Sequence, residues 1–295
     1  MDDVIIVGGS FAGLAAALQL GRARRQVTVF DTALPRNRYA EHAHGILGHD
    51  GKNPADILAA ARDQLARYET VKIINARATK ASGQLDDFTV LTEKGEHHAR
   101  RLVLAYGLTD EFPPIDGFAE CWGKTVLHCP YCHGYEVAEK RWGLIYSTPL
   151  SLHATALYGH WTDQITLFSD GHDLPEAEKS KLAKRGVALV EGKVKAFEHK
   201  EGRITAVIGE DGTRTELDAL YVHPHNRPSA DLHEQLGVET DDTPTGIAFK
   251  VNDRHQTSVE GVYAGGDLAH AMHSVTIASY GGAMAAIGAH QSLVS

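Results

Sequence analysis

Cysteine is scarce in this chain: Cys121, Cys129 and Cys132 are the only three among 295 residues, too few for the disulfide framework of a small secreted domain. No apolar run approaches the roughly 18 residues that a membrane-spanning helix needs. An excess of basic charge is also missing. Lys and Arg number 29 against 38 Asp and Glu, for a formal net charge of −9, which excludes a surface built to neutralise nucleic-acid phosphates or an anionic membrane. Low-complexity tracts and long linkers are absent. The 18 histidines are scattered, with no His-Glu-x-x-His helix and no second Cys-x-x-Cys, so no metal site is expected. A strand-like run, Val4-Ile5-Ile6-Val7, begins almost at the initiator Met and leaves no room for a signal peptide. Together with the few cysteines, this makes the cytoplasm the expected compartment.

The length favours two domains. Val4–Val7, a glycine turn, the alanine- and leucine-rich stretch from Leu14 to Leu20 and the run Val27–Phe30 read as a βαβ unit, hence a parallel sheet. Asp56 to Tyr68 has the apolar spacing of a helix, and Val71–Ala76, Phe88–Leu91 and Arg101–Leu104 read as strands. A second, smaller βαβ unit lies mid-chain: Trp142–Tyr146, a helix over Ser151–His160, then Gln164–Phe168. Val187–Val194, Gly202–Ile208 and Ala219–His223 are expected to complete its sheet. After Pro228 the chain is expected to return to the first domain, with a strand over Gly261–Ala264 and a closing helix over Ser274–Ser292. The fold class is therefore α/β, with two Rossmann-like, three-layer nucleotide-binding domains, the second inserted in the first. The boundaries read 1–115 with 228–295 for the outer domain and 116–227 for the central one.

The first turn reads Gly8-Gly9-Ser10-Phe11-Ala12-Gly13. In such a turn the glycines allow a tight bend, close approach of backbone to pyrophosphate, and packing of helix on strand, while the anion rests on the helix amino terminus. Here Ser10 replaces the middle glycine. Asp31, at the end of the next strand, is spaced to accept hydrogen bonds from a ribose. A second site, Ala264-Gly265-Gly266-Asp267, lies between a strand and a helix near the other end. Two remote nucleotide contacts point to the long cofactor FAD.

Cys129-Pro130-Tyr131-Cys132 carries the chemistry, because two thiols at this spacing cycle between dithiol and disulfide and so hold two electrons. His133 follows directly and is a candidate general acid or base. Cys121 reads as a buried apolar residue.

These motifs together resemble the low-molecular-weight thioredoxin reductases, and within them the flavoproteins whose redox motif reads Cys-Pro-x-Cys-His-Gly-Tyr-Glu. The likeness extends to Arg36-Asn37-Arg38, His44-Gly45, Ala105-Tyr106-Gly107 and Gly265-Gly266-Asp267. The resemblance implies FAD held by Gly8 to Gly13, Asp31, Arg36, Arg38, His44, Ala105, Gly107, Gly266, Asp267, Ser274 and Val275. It also implies a homodimer, Cys132 facing the flavin, and Cys129 exchanging with the substrate disulfide. His133 stands where better-known reductases have Asp, and by that likeness protonates the leaving thiolate.

One departure bears on the electron donor. NADPH-using members carry a second glycine turn in the central domain, and this chain has Tyr146-Ser147-Thr148-Pro149-Leu150-Ser151 there, with both leading glycines replaced. The strand that follows ends at Ser169-Asp170-Gly171, without the basic cluster a 2′-phosphate needs. Asp170 suits NADH better than NADPH. The expectation is a disulfide reductase acting on thioredoxin or a related protein disulfide, with a donor other than NADPH such as ferredoxin. The alternatives are a dithiol oxidase that passes electrons to oxygen, and a redox-sensing flavin-binding module.

Overall fold

The computed structural model describes residues 1–294, which form two compact units: Met1–Arg38 with Lys52–Thr109 and residues 226–294, and Tyr39–Gly51 with Asp110–His225. Both are α/β. Among the described residues no helix is long and apolar enough to cross a membrane.

The first unit is built on a parallel sheet in the order Val71–Asn75, Val27–Asp31, Asp2–Val7, Gly95–Leu104, with Val262–Ala264 pairing on the last of these. Its strands are apolar on both faces because both faces are covered. Val4, Ile6, Val27 and Val29 pack with Leu14, Ala17 and Leu20 of the helix Phe11–Arg22 and with Ala285, Ala286 and Ala289 of the helix Val275–Ser292. Ile5, Val7, Phe30, Leu102 and Leu104 fill the opposite side with Phe88 and Val90. Gly95–Leu104 also continues into an antiparallel extension, Asp87–Thr92 and Ala78–Gln84. Ala78–Gln84 goes unannounced in the sequence because it is a polar edge strand, with Lys80, Ser82 and Gly83 in place of an apolar alternation. The two helices on one face meet through small residues: a Cβ added at Gly282 would lie 1.9 Å from the Ala12 carbonyl oxygen.

The second unit has a five-stranded parallel sheet in the order Ala188–Val190, Ile165–Phe168, Trp142–Ile145, Ala219–Tyr221, Val126–Leu127. One face buries Trp142, Leu144, Leu167 and Tyr221 against Tyr158 and Leu182 of two helices, Pro149–Tyr158 and Glu176–Lys184. The other buries Ile145, Phe168 and Leu220 against Phe118, Trp122, Phe197, Ile204 and Val207. The last three come from a separate antiparallel sheet, Val194–Lys200, Arg203–Gly209 and Arg214–Glu216. Gly202–Ile208 therefore does not join the parallel sheet as the sequence reading expected. Glu201 and Gly202, both at positive φ, form a tight turn there, and parallel neighbours would need a long crossover instead. Gly192, at φ +97°, likewise divides the expected strand Val187–Val194.

The units also differ from the sequence boundaries. The segment Tyr39–Gly51 clusters with the central unit, and the outer unit ends at Thr109 and resumes at Asn226. The reason is packing: Phe112 lies against Tyr39, Phe118 and Trp122, and His44 reaches Glu136.

Gly282→Ala is expected to destabilise the flavin-loaded protein by about 1–3 kcal/mol, since the added methyl group forces two packed helices apart. Urea denaturation followed by far-ultraviolet circular dichroism measures it; an unchanged midpoint would contradict the packing described.

Candidate active site and flavin site

Cys129 and Cys132 are joined as a disulfide, their Cα atoms 5.3 Å apart, at the start of the short helix Pro130–His133. Cys129 is extended and precedes the helix, and Pro130 at the first helical position supplies a fixed φ where no amide hydrogen is needed. Gly134 must be glycine, because a Cβ there would meet the Pro130 carbonyl at 2.4 Å and the Trp161 ring at 2.9 Å. Tyr131, between the cysteines, is 69 % exposed and packs edge-on against Trp161. Cys121 is buried, and burial raises its thiol to about 11, so it stays protonated and inert.

His133 is mostly buried, and burial pushes its imidazole below the ordinary value of 6.5. The neighbouring His44 adds to the depression, whereas Glu136 and a hydrogen bond to the His42 carbonyl oppose it. The rings of His133 and His44 lie edge to face at 6.1 Å. His44 in turn has Nε2 3.5 Å from Glu136 and Nδ1 3.7 Å from Asp50. An unprotonated ring following the cysteine pair is equipped to take a proton from a thiol; the residues alone left acid and base both open, and the acid role came from the resemblance.

In the outer unit, Gly8 at φ +106° lets the backbone pass Ala105, whose carbonyl oxygen would lie 2.2 Å from any Cβ at Gly8. Ser10 precedes the helix Phe11–Arg22 without its side chain capping it. Asp31 accepts the Gly9 amide at 3.2 Å and pairs with Arg62, which also bonds the Gly9 carbonyl. Arg36 donates to Asp267 at 3.0 Å and contacts His273 at 2.8 Å, so segments over two hundred residues apart converge. Gly266 is at φ +76°, Gly107 at φ +68° accepts the Ser229 amide, and Arg38 donates to the Pro35 carbonyl. Ser274 caps the helix that starts at Val275 by accepting from the Ile277 amide. Phe11, Ala12 and Gly13 form the first turn of the helix Phe11–Arg22. Its amino end, open to an anion and set beside Asp31, Arg36 and Asp267, fits the pyrophosphate and sugar parts of FAD. Of the residues expected around the flavin, His44 alone lies in the other unit, with Cys129, Cys132 and His133.

The corresponding turn of the central unit differs. Ser151, fully buried, accepts the Ser147 amide at 3.1 Å and the Thr148 amide at 3.5 Å through its hydroxyl oxygen. Pro149 has no amide hydrogen to offer. Tyr146 packs its ring against His172 at 5.1 Å. Asp170, the residue that kept an NADH site open in the sequence, spends Oδ1 on the Val194 amide. His223 and His225 do not share a strand: the strand ends at Tyr221, and His225 pairs with Glu111 at 3.1 Å. Among the described residues no three or more His, Cys, Asp or Glu side chains converge as metal ligands.

The pyridine nucleotide-disulphide oxidoreductase model matches residues 2–285. The chain belongs to that family. A thioredoxin reductase of Claviceps purpurea, tcpT, is 33 % identical over 298 residues, 96 % of this chain and 91 % of that protein. Among solved structures, an oxidoreductase from Agrobacterium tumefaciens is similar at 39 % identity and a TM-score of 0.94, covering 99 % of this chain and 98 % of that one. HlmI is similar at 33 % identity and a TM-score of 0.92, covering 99 % and 92 %. Membership makes the chain a thioredoxin-reductase-like oxidoreductase that binds FAD.

Sequence reasoning missed Arg62, which sits on a helix with no motif to announce it. It also missed what Pro149 and Ser151 do together, although both stand in the turn that was singled out.

Burial depresses His133, His223, His233 and His270 alike, so each binds its proton more readily in the unfolded chain. Their stabilising effect is complete above pH 6.5 and is lost as pH falls through the lower folded values. The thermal midpoint of the holoprotein is expected to drop between pH 7 and pH 5, and to drop less in His133→Gln; differential scanning fluorimetry across that range checks both.

Proposed function

We propose that this FAD enzyme exchanges electron pairs between the Cys129–Cys132 couple and a dithiol or disulfide partner without a pyridine nucleotide. The observation that carries the reading is the central turn. The amides of Ser147 and Thr148 are bonded to Ser151, and residue 149 has none, so the consecutive donors that hold a pyrophosphate in such a turn are absent. Tyr146 in place of the first glycine adds bulk where the phosphate approaches.

The sulfur chemistry balances on this chain's own groups. A partner thiolate attacks Cys129 Sγ, the Cys129–Cys132 bond breaks, and Cys132 leaves as a thiolate. The partner's second thiol then displaces Cys129, closing the partner disulfide and leaving both protein cysteines reduced. His133 accepts a proton as the partner thiol becomes a thiolate. FAD, when bound, supplies the two-electron store against which the couple turns over.

Two directions follow from one couple. Reduction of thioredoxin or a related protein disulfide, with a donor such as ferredoxin, is supported by the thioredoxin reductases that the chain resembles. Dithiol oxidation with electrons passed on to oxygen is favoured by one specific feature, the unprotonated, proton-accepting His133. A homodimer is supported by Tyr280 and Ile287, exposed on the helix Val275–Ser292. A reducing compartment such as the cytoplasm is proposed on the scarcity of cysteine.

The test is anaerobic titration of the flavin-loaded protein with dithiothreitol, NADPH, NADH and reduced ferredoxin, followed by the visible flavin spectrum. Dithiothreitol is expected to bleach the flavin and both nicotinamides to leave it oxidised. Cys132→Ser is expected to abolish bleaching by dithiol, and His133→Gln to slow it about a hundredfold. Rapid bleaching by NADPH would overturn the reading. Admitting oxygen and assaying peroxide, against supplying ferredoxin and oxidised thioredoxin, assigns the direction.

A further inference from the structure

The strand Val126–Leu127 is two residues long, lies at the edge of its sheet and leads almost directly into Cys129. So short a strand can aim the redox turn only with help from its neighbour. It pairs in parallel with Ala219–Tyr221, Val126 opposite Leu220 and Leu127 opposite Tyr221. Amides at every second residue of that neighbour donate across the pair: Leu220 to the Thr125 carbonyl at 2.9 Å and Val222 to the Leu127 carbonyl at 2.8 Å. The next donor in this series would be residue 224, and Pro224 has no amide hydrogen to offer Cys129. The series therefore ends at Leu127, before the redox turn begins.

The same register brings His223 opposite Cys129. Leu127 and Tyr221 face the core around Trp142, whereas Val126, Leu220 and Val222 face the core around Phe118, as alternation along two strands requires. Cys129 keeps an extended backbone, with φ −128° and ψ 115°, and the proline after His223 favours the same conformation there. His128 turns to the Phe118 side, where its ring stacks on Trp122 at 5.9 Å. Cys129 and His223 therefore fall side by side on the Trp142 face. From this position the His223 ring donates a hydrogen bond to the His128 carbonyl. Burial holds that ring below its ordinary value of 6.5, so near neutrality it carries a single N–H, the one used in this bond.

We infer that His223 is a positioning residue for the sulfur exchange: where Pro224 interrupts the backbone donors, its side chain holds the His128 carbonyl and so aims Cys129 at the incoming sulfur. It acts through the backbone of the two residues that precede the turn. The inference rests on the reading of Cys129 as the sulfur that meets the partner.

The test isolates that sulfur in flavin-loaded Cys132→Ser protein, where the one other thiol, Cys121, is buried and inert. The Cys129 thiolate attacks dithiodipyridine, a bond forms between Cys129 Sγ and one probe sulfur, the probe disulfide breaks, and the leaving thiolate takes a proton from water to become thiopyridone, whose absorbance is followed. Adding His223→Leu is expected to slow this release about tenfold, as loss of one aligning hydrogen bond does. Of His223→Asn and His223→Gln, whose amides stand in for the two ring nitrogens, one is expected to restore the rate to within about twofold. A His223→Leu protein as fast as Cys132→Ser alone, or one that neither amide rescues, would overturn the proposal. Should His223→Leu fail to fold, proton NMR of the otherwise unaltered protein decides: an imidazole N–H held by the His128 carbonyl exchanges slowly with water and gives a resonance that His223→Gln lacks, and its absence overturns the proposal as well. No nicotinamide and no flavin reduction enter the assay, so bleaching by NADPH would sink the proposed function and leave these rates untouched. Release by Cys129→Ser but not by Cys132→Ser would instead sink the reading of Cys129, and this inference with it.

Discussion

A backbone amide hydrogen at a strand-to-helix turn serves one strong acceptor at a time, and this constraint separates the two nucleotide-type units of the chain. In the outer unit the helix Phe11–Arg22 begins after a serine that leaves its first turn uncapped, so the amides and the positive end of the helix face outward for an anion. In the central unit Ser151 turns its hydroxyl back onto Ser147 and Thr148, and Pro149 deletes the next donor. One turn leaves its donors to face an anion, the other directs them onto a side chain of its own helix.

On the proposed reading, in which the central turn holds no second nucleotide, the central unit serves as a scaffold for sulfur chemistry. Its parallel sheet holds Trp142, against which Trp161 stacks, and Trp161 supports both Tyr131 and the tight Gly134 turn. The disulfide-bearing turn is thereby tied to the sheet, with an exposed aromatic between its cysteines and a partly buried imidazole following them in sequence. A histidine whose burial disfavours the charged form is unprotonated near neutrality, so it has a free nitrogen to take a proton and none to give. That difference from an acidic residue at the same position concerns the direction in which protons move as the sulfurs exchange.

Much of this was legible in the residues. The βαβ units, the glycine turn and Cys129–Cys132 are written locally, in runs of apolar residues and in short spacings. Arg36 was singled out by resemblance and Asp267 by its glycine-rich turn, and only the fold shows that they meet. The parts that were not legible depend on distant partners or on what a side chain does with its oxygen. Arg62 looks like any surface cation until the helix turns it toward Asp31. His44 reads as a polar loop residue or a flavin contact until the loop folds it against His133. Gly202–Ile208 has the pattern of a strand, and the turn at Glu201–Gly202, not the strand itself, sends it to a different sheet.

The helix Val275–Ser292 packs its glycines and alanines against the helix Phe11–Arg22, so a helix made early in synthesis waits for one made more than two hundred residues later. Until then Val4, Ile6, Leu14 and Leu20 lack part of their cover on that face. The central unit is nearly continuous, from Asp110 to His225, apart from one short segment that has already been made. Chains emerge from the ribosome amino end first, and domains fold as units. The inserted unit, with its disulfide, is therefore made in full before the unit that surrounds it in sequence, and the outer fold closes only once the helix Val275–Ser292 has emerged.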